Sequence, residues 1–275
     1  MSSNKAFDAI TRVTLGIILV LSAFPFYWMI CNSAKEDTEI FANPIGLPAS
    51  FRFRNYLDAW VAADLGTAFV NSIIVTGATV LTILVVGSLA AYPLSRMRFF
   101  GRRFFLLFFT AGLVVAQEVV LIPLFSLFQS LGLLNSLWSV ILANSTYGLP
   151  LAILLFSQFF RAIPLELEES ARIDGCRSFT FLWSILLPLS KPVIGSVTIF
   201  VSLFTWNEYL FALTFLREPA SKTLPVKMQV FFADYSTDWS KLFAALVMAT
   251  VPVILLYLAM QRSFVRGLTA GAVKG

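Results

Sequence analysis

The chain has 275 residues, of which 58% are hydrophobic and 13% charged, with a mean hydropathy of +0.83. A soluble domain carries about 45–50% apolar and about 25% charged residues, so this composition excludes an ordinary water-soluble globule, a disordered chain and a disulfide-stapled module. An integral membrane protein remains. The net charge of +5 fits basic loops beside membrane helices better than a nucleic-acid partner. The sequence contains no His, which removes His-based zinc sites and His general bases together.

In chain order, the uncharged run Val13 to Ala34 predicts a first span near 13–33. Lys5 and Arg12 would suit the basic start of a signal peptide. The run is long, however, and Pro25-Phe26-Tyr27-Trp28 stands where small residues would mark cleavage, so it reads as a retained anchor. Leu65 to Ser95 predicts a second span near 67–94. The long run Val119 to Phe160 is divided by Gly132, Asn135 and Ser136, which read as a turn. It predicts the end of a third span near 104–128 and a fourth near 137–160. A fifth falls near 192–213, interrupted only by Glu208, and a sixth near 242–261. At roughly 20 apolar residues per span, six account for the chain, which reads as one membrane domain over 1–275. Pro25, Pro93, Pro123, Pro150 and Pro252 fall inside the spans, where neighbouring helices can re-satisfy the freed backbone groups. Cys31 closes the first run and Cys176 lies in a polar loop, which argues against a disulfide.

Basic residues set the orientation. Lys5, Arg12, Arg96, Arg98, Arg102, Arg103, Arg161, Arg172, Arg177, Lys191, Arg262, Arg266 and Lys274 share one side if both termini are cytoplasmic, and the acids of the opposite loops lean the other way. The cluster Arg96 to Arg103 reads as an anchor for lipid headgroups.

The inner loop 161–191 differs from an ordinary connector. Pro164 suits a first helical turn, and Glu166, Glu168 and Glu169 complement the positive end of that helix. Glu168 and Arg172 are four apart in the favourable order, and Gly175 is placed for a left-handed cap. Ser178 is expected to cap a second helix that stops at Pro188. A short helix, a sharp glycine turn and a rising second helix form an elbow on the cytoplasmic side. Its small residues Ser170 and Ala171 and its carboxylates Glu169 and Asp174 would suit a protein partner. Pattern alone leaves a solvated interfacial connector equally open.

Polar groups also occur at membrane depth. With continuous helices, Glu118 lies about 21 Å from the inner boundary and Glu208 about 24 Å, while Asn144 lies roughly 10 Å from the outer one. In a core about 30 Å thick, these share an outer-half layer with Gln117, Tyr147 and Asn207. Intramembrane ionisable groups face a partner or a wet cavity, so Gln117, Glu118, Asn144, Tyr147, Trp206, Asn207 and Glu208 are candidates for a substrate path. Tyr147, Trp206 and Tyr209 would offer flat aromatic faces to a solute in such a path. Helix-to-helix hydrogen bonding by the amides is the competing structural reading. The outer segments 34–66 and 214–241 are long enough to meet another protein, and the latter, with Arg217, Glu218, Lys222, Asp234, Tyr235 and Asp238, is preferred.

Glu169-Ser170-Ala171, three residues, Gly175, nine residues, then Ile185-Leu186-Leu187-Pro188 resembles the EAA loop of binding-protein-dependent ABC importer permeases, with Ser170 as the one departure, for Ala. Asn71-Ser72, Leu89 to Arg96, Ile122-Pro123-Leu124-Phe125, Trp206-Asn207-Glu208-Tyr209 and Gly271 to Gly275 resemble segments of the maltose-type, carbohydrate-uptake branch. The resemblance implies an all-α integral membrane protein of six transmembrane helices, with the ABC type I importer (MetI-like) permease fold and a cytoplasmic EAA coupling helix. Glu169, Ser170, Ala171, Asp174, Gly175, Ile185, Leu187 and Pro188 would then be the ATPase-coupling residues. It further implies a second homologous permease, two ATPase subunits, an extracytoplasmic substrate-binding protein, and a place in the cytoplasmic membrane in contact with lipid, with no nucleic acid. No cofactor is expected on this chain and ATP and Mg are expected on the ATPase, since the sequence has no Gly-x-x-x-x-Gly-Lys-Ser/Thr phosphate loop. An ion-coupled carrier working alone leaves the EAA spacing unexplained. A membrane-embedded enzyme would need a clustered nucleophile or paired acid and base, and none is apparent.

Overall fold

The computed structural model describes residues 2–232 and 237–272, so Asp234, Tyr235 and Lys274 lie outside the described residues, as do the side chains of Lys5, Arg262 and Arg266. The described chain is helical, apart from connections and one isolated bridge between Phe232 and Thr237. In order, the helices are α1 (Ser2–Ser33), α2 (Asp37–Ala42), α3 (Arg54–Ala62), α4 (Leu65–Arg96), α5 (Arg102–Gly112), α6 (Gln117–Ser130), α7 (Leu137–Ala162) and α8 (Glu166–Ile173). There follow α9 (Ser178–Leu189), α10 (Lys191–Trp206), α11 (Leu210–Phe215), α12 (Leu224–Lys227) and α13 (Trp239–Ala272). Among the described residues four helices are long and apolar enough to cross a bilayer, within α1, α4, α7 and α13. The pairs α5–α6 and α9–α10 raise the number to six if each makes one span. Pro25, Pro93, Pro123, Pro150 and Pro252 all lie inside helices.

Two spans expected to be continuous are broken. The third, expected over 104–128, bends by 101° between α5 and α6. Residues 113–116 carry no proline to announce this. The break holds because the Val115 carbonyl, freed from helical pairing, accepts a hydrogen bond at 2.8 Å from the Tyr147 hydroxyl of α7. Glu118 then sits in the first turn of α6, where a negative charge suits the helix dipole. The depth of 21 Å derived for Glu118 from an unbroken helix therefore does not apply. The fifth span, expected over 192–213, stops at Trp206 and resumes at Leu210.

The chain divides into two compact units. The first comprises residues 1–66 and 227–252. The segment after α1 is pinned by Lys35, which is fully buried and donates to the Asn32 side chain at 3.1 Å and the Asn43 carbonyl at 2.7 Å. Asn55 donates to the carbonyls of Ser33 and Lys35, and Asp37 accepts from the backbone N–H groups of Trp239 and Ser240, capping α13. Lys227 pairs with Asp64 at 3.2 Å.

The second unit, residues 67–226 and 253–275, contains the core around α7. One end buries Ile83, Tyr92, Phe156, Phe160, Phe181 and Leu186, and a second cluster gathers Val75, Phe128, Val140, Phe211 and Phe215. Close approach of α4 and α7 needs small residues. A Cβ on Gly148 would lie 2.6 Å from Cδ1 of Ile83. Gly132 and Asn135, both at positive φ, form the turn between α6 and α7, and Ser136 caps α7 by accepting from the Trp138 N–H. Asn71 donates to the carbonyls of Ala220 and Lys222, and Ser72 accepts from the Leu224 N–H, so this Asn-Ser pair fastens the 220–224 segment to the start of α4.

Candidate functional site

The elbow forms from local rules. α8 begins one residue after Leu165, with Glu166, Glu168 and Glu169 in its first turn and Arg172 in its last, both favourable to the dipole. It ends in a Schellman motif: the Cys176 N–H donates to the Ala171 carbonyl at 2.8 Å and the Gly175 N–H to Arg172 at 3.0 Å. Gly175 supplies the φ of +81° that this motif requires.

The second arm departs from the expectation in two ways. Ser178 makes no capping hydrogen bond, because it is the first residue of α9 itself and Arg177 holds the cap position. Nor does the helix stop at Pro188. Residues 182–186 widen into a π turn, closed by the Leu187 N–H donating to the Leu182 carbonyl, and the helix runs on to Leu189. A proline ring clashes with the carbonyl four residues back and offers no N–H to it. Loosening the preceding turn relieves that clash, so Pro188 distorts the helix without ending it. With Pro192 following at the start of α10, the two helices meet at 79°.

Burial separates the elbow residues. Glu169, Ser170, Asp174 and Gly175 are exposed, as are Ile173 and Pro188, while Ala171 and Leu186 face inward with Ile185 and Leu187 packed against the same core. Glu168, beside Glu169, is buried. Its Oε1 accepts from the Tyr92 hydroxyl at 3.0 Å and from the Arg172 guanidinium at 2.8 Å. That carboxylate holds the Arg172 guanidinium above its ordinary pKa. Around it, Arg96 donates to the Ile163 carbonyl at 2.7 Å, and Arg102 and Arg161 donate to the Leu94 carbonyl. Three arginines read as headgroup anchors or as inner-loop charge therefore make hydrogen bonds that close the end of α4 and the entry to α8. Arg98 and Arg103 remain exposed.

The second region is a cavity of about 220 Å³ between α4, α7 and α10. Of the candidate path residues, Asn144 and Tyr147 line it, and Gln117, Glu118, Trp206, Asn207 and Glu208 do not. Asn144 is buried, donates to the Val140 carbonyl, and leaves its Oδ1 without a partner among the described residues. Thr205, buried on the same wall, leaves its hydroxyl unpartnered as well. Tyr147 stacks on Phe204 with ring centroids 5.6 Å apart. The elements at the other candidate positions give them different roles. Glu208 is buried and accepts from the N–H groups of Phe211 at 2.6 Å and Ala212 at 3.1 Å, so it caps α11 and does not reach out to water. Asn207 donates back to the Leu203 carbonyl, and Trp206 lies against Phe69. Gln117 leaves its amide nitrogen unpartnered, and Glu118 is exposed.

An outward-facing Glu-Ser pair on a glycine-capped helix, carried by a bundle of broken apolar helices, agrees with what the wider comparison finds. The profile of the family described as binding-protein-dependent transport system inner membrane component matches residues 83–270. The chain belongs to this family. It is similar along nearly its whole length to a probable ABC transporter permease protein, YurM, of Bacillus subtilis, at 39% identity over 96% of this chain and 87% of that one. The melibiose/raffinose/stachyose import permease protein MelC of the same organism is 34% identical over 99% and 98%. The fold matches a chain from the crystal structure of a bacterial ABC transporter involved in the import of the acidic polysaccharide alginate. That match has a TM-score of 0.82 at 24% identity, covering 96% of this chain and 98% of the other. The fold is thus the all-α permease fold of this family, and the chain is an inner-membrane component of binding-protein-dependent transport.

Two features of the site escaped sequence reading. Glu168 reads in the sequence as a first-turn acid paired with Arg172, and nothing local shows that it turns inward to the Tyr92 hydroxyl, 76 residues away. Thr205 is one of four hydroxyl residues in an apolar helix, beside Ser196, Thr198 and Ser202, and nothing in the sequence sets it apart from them.

Proposed function

We propose that this chain is the permease subunit of an ATP-driven importer that carries a carbohydrate or polyol across the cytoplasmic membrane. It works beside a second, homologous permease, with both termini in the cytoplasm. Two ATPase subunits bind and hydrolyse ATP with Mg, this chain binding neither, and an extracytoplasmic binding protein delivers the substrate. The observation that carries the reading is the elbow: Glu169, Ser170 and Asp174 stand exposed around a cap that only a left-handed residue completes, on a chain whose relatives include an import permease for raffinose-type sugars. Docking of this surface in an ATPase cleft would turn nucleotide-driven closure into motion of the spans. The 214–241 segment, whose residues 220–224 are held at Asn71 and Ser72, is the contact assigned to the binding protein.

The test is reconstitution in vesicles. The polypeptide alone should accumulate no sugar, and the complex purified with its ATPase, second permease and binding protein should do so only with ATP. Solute accumulation by the isolated chain would sink the reading.

Within the spans, Asn144 and Thr205, each with a buried oxygen that has no partner among the described residues, line one apolar cavity with Tyr147, an arrangement suited to a hydroxylated solute that meets few but specific hydrogen bonds. Replacing Asn144 by Ala should raise the KM for uptake several-fold, since a lost neutral hydrogen bond is worth about 0.5–1.5 kcal/mol. Unchanged KM and unchanged preference among sugars would remove this cavity from the path.

A further inference from the structure

We infer that Tyr92 is the receiver through which the motion of the elbow enters the membrane spans, with Glu168 as its positioning residue on the moving side. This rests on the coupling role proposed above and adds the route by which force leaves the elbow.

Tyr92 lies one turn from the cytoplasmic end of α4, in the long span that enters both core clusters of the second unit. Both arms of the elbow reach it. From α8, Glu168 accepts from its hydroxyl at 3.0 Å, with both side chains buried. From α9, Ser178 lies within hydrogen-bonding reach of the same hydroxyl, and the Phe181 ring packs on the Tyr92 ring with centroids 6.4 Å apart. The Glu168 carboxylate is half satisfied: Oε2 is buried and without a partner among the described residues, while Oε1 serves both Tyr92 and Arg172. A buried, partly satisfied carboxylate is a poor choice for stability alone, because an apolar residue there would avoid the desolvation cost.

What such a group does provide is a directional, charge-assisted bond between two elements that must move together. Packing contacts let helices slide past one another, whereas an O–H···O⁻ bond resists a change in both distance and angle. Of the other ties at this end of α4, Arg96 reaches the Ile163 carbonyl in the connection before α8, and Arg161, in the last turn of α7, reaches the Leu94 carbonyl within α4; both act through long, flexible side chains and neither ends on an elbow helix. The Tyr92–Glu168 bond joins helix to helix, with a rigid ring on one side.

The decisive variant is Tyr92→Phe, which deletes one hydroxyl and keeps the ring in its packing. In the full complex with its binding protein, sugar uptake per ATP hydrolysed should fall about tenfold, the factor expected from losing a hydrogen bond to a charged group, while ATP hydrolysis continues. Glu168→Leu should uncouple in the same way. Glu168→Gln keeps an oxygen acceptor for Tyr92 and should restore most of the ratio. A merely structural role would lower complex yield, hydrolysis and uptake together and leave the ratio where it was. That outcome, or an unchanged ratio in a normally assembled Tyr92→Phe complex, overturns the assignment. If Tyr92→Phe fails to assemble, the ratios of the two Glu168 variants decide by themselves. Failure of the wild-type complex to show ATP-dependent uptake would instead refute the importer reading.

Discussion

Replacing Gly175 by glutamate should abolish uptake while leaving the chain in the membrane at close to its normal level. Two costs act, and their sizes differ. Gly175 sits at φ +81°, a conformation that costs a residue with a Cβ roughly 1–2 kcal/mol. Nothing lies within 4 Å of where that Cβ would go, so no clash is added. A penalty of that size loosens one cap without unfolding a domain whose stability is about 5–15 kcal/mol. The second cost arises on docking. A new carboxylate at an exposed turn would be buried against the ATPase with no partner, and an uncompensated buried charge costs several kcal/mol. Together these correspond to a loss of more than a hundredfold. Gly175→Ala meets only the backbone cost and should retain partial uptake. Measuring uptake beside membrane abundance for both variants separates the two contributions. Normal transport by Gly175→Glu would contradict docking at this turn.

A comparable loss is expected for Glu169→Lys, for a different reason. Glu169 is exposed, and its side chain makes no hydrogen bond or ion pair among the described residues. Its removal therefore takes nothing from the fold beyond the dipole benefit of an acid in the first turn, about 0.3–1 kcal/mol. Glu168, its neighbour, faces the core and holds Tyr92 and Arg172. The two adjacent acids thus face opposite ways, Glu169 outward and Glu168 toward the core. Reversing the outward charge should eliminate ATP-dependent uptake with normal expression, and an acidic substitution at the contacting basic residue of the ATPase should restore it. Full uptake with lysine at 169 would exclude a charge contact there.

Local chemistry carried much of this structure into view from the sequence. Apolar runs located the spans because the bilayer sets their length. The acids after Pro164, the Glu168–Arg172 spacing and Gly175 fixed the first arm of the elbow because dipole, side-chain pair and left-handed cap all act within about one helical turn. Gly132, Asn135 and Ser136 marked the turn before α7 on the same grounds.

What residues far apart in sequence do to one another was not legible. The 101° bend at 113–116 depends on the Tyr147 hydroxyl finding the Val115 carbonyl 32 residues away, and no local breaker announces it. The roles of Glu208 and Arg102 likewise follow from which backbone groups were left without helical partners once the helices had ended. Composition and spacing decided that this chain is a helical membrane protein with a glycine-capped elbow, since hydrophobic length and helix capping are short-range properties. Only the tertiary structure decided where the spans break, which acid of the pair faces inward, and which polar side chains line a cavity, because buried polar groups must find their partners wherever the fold brings them.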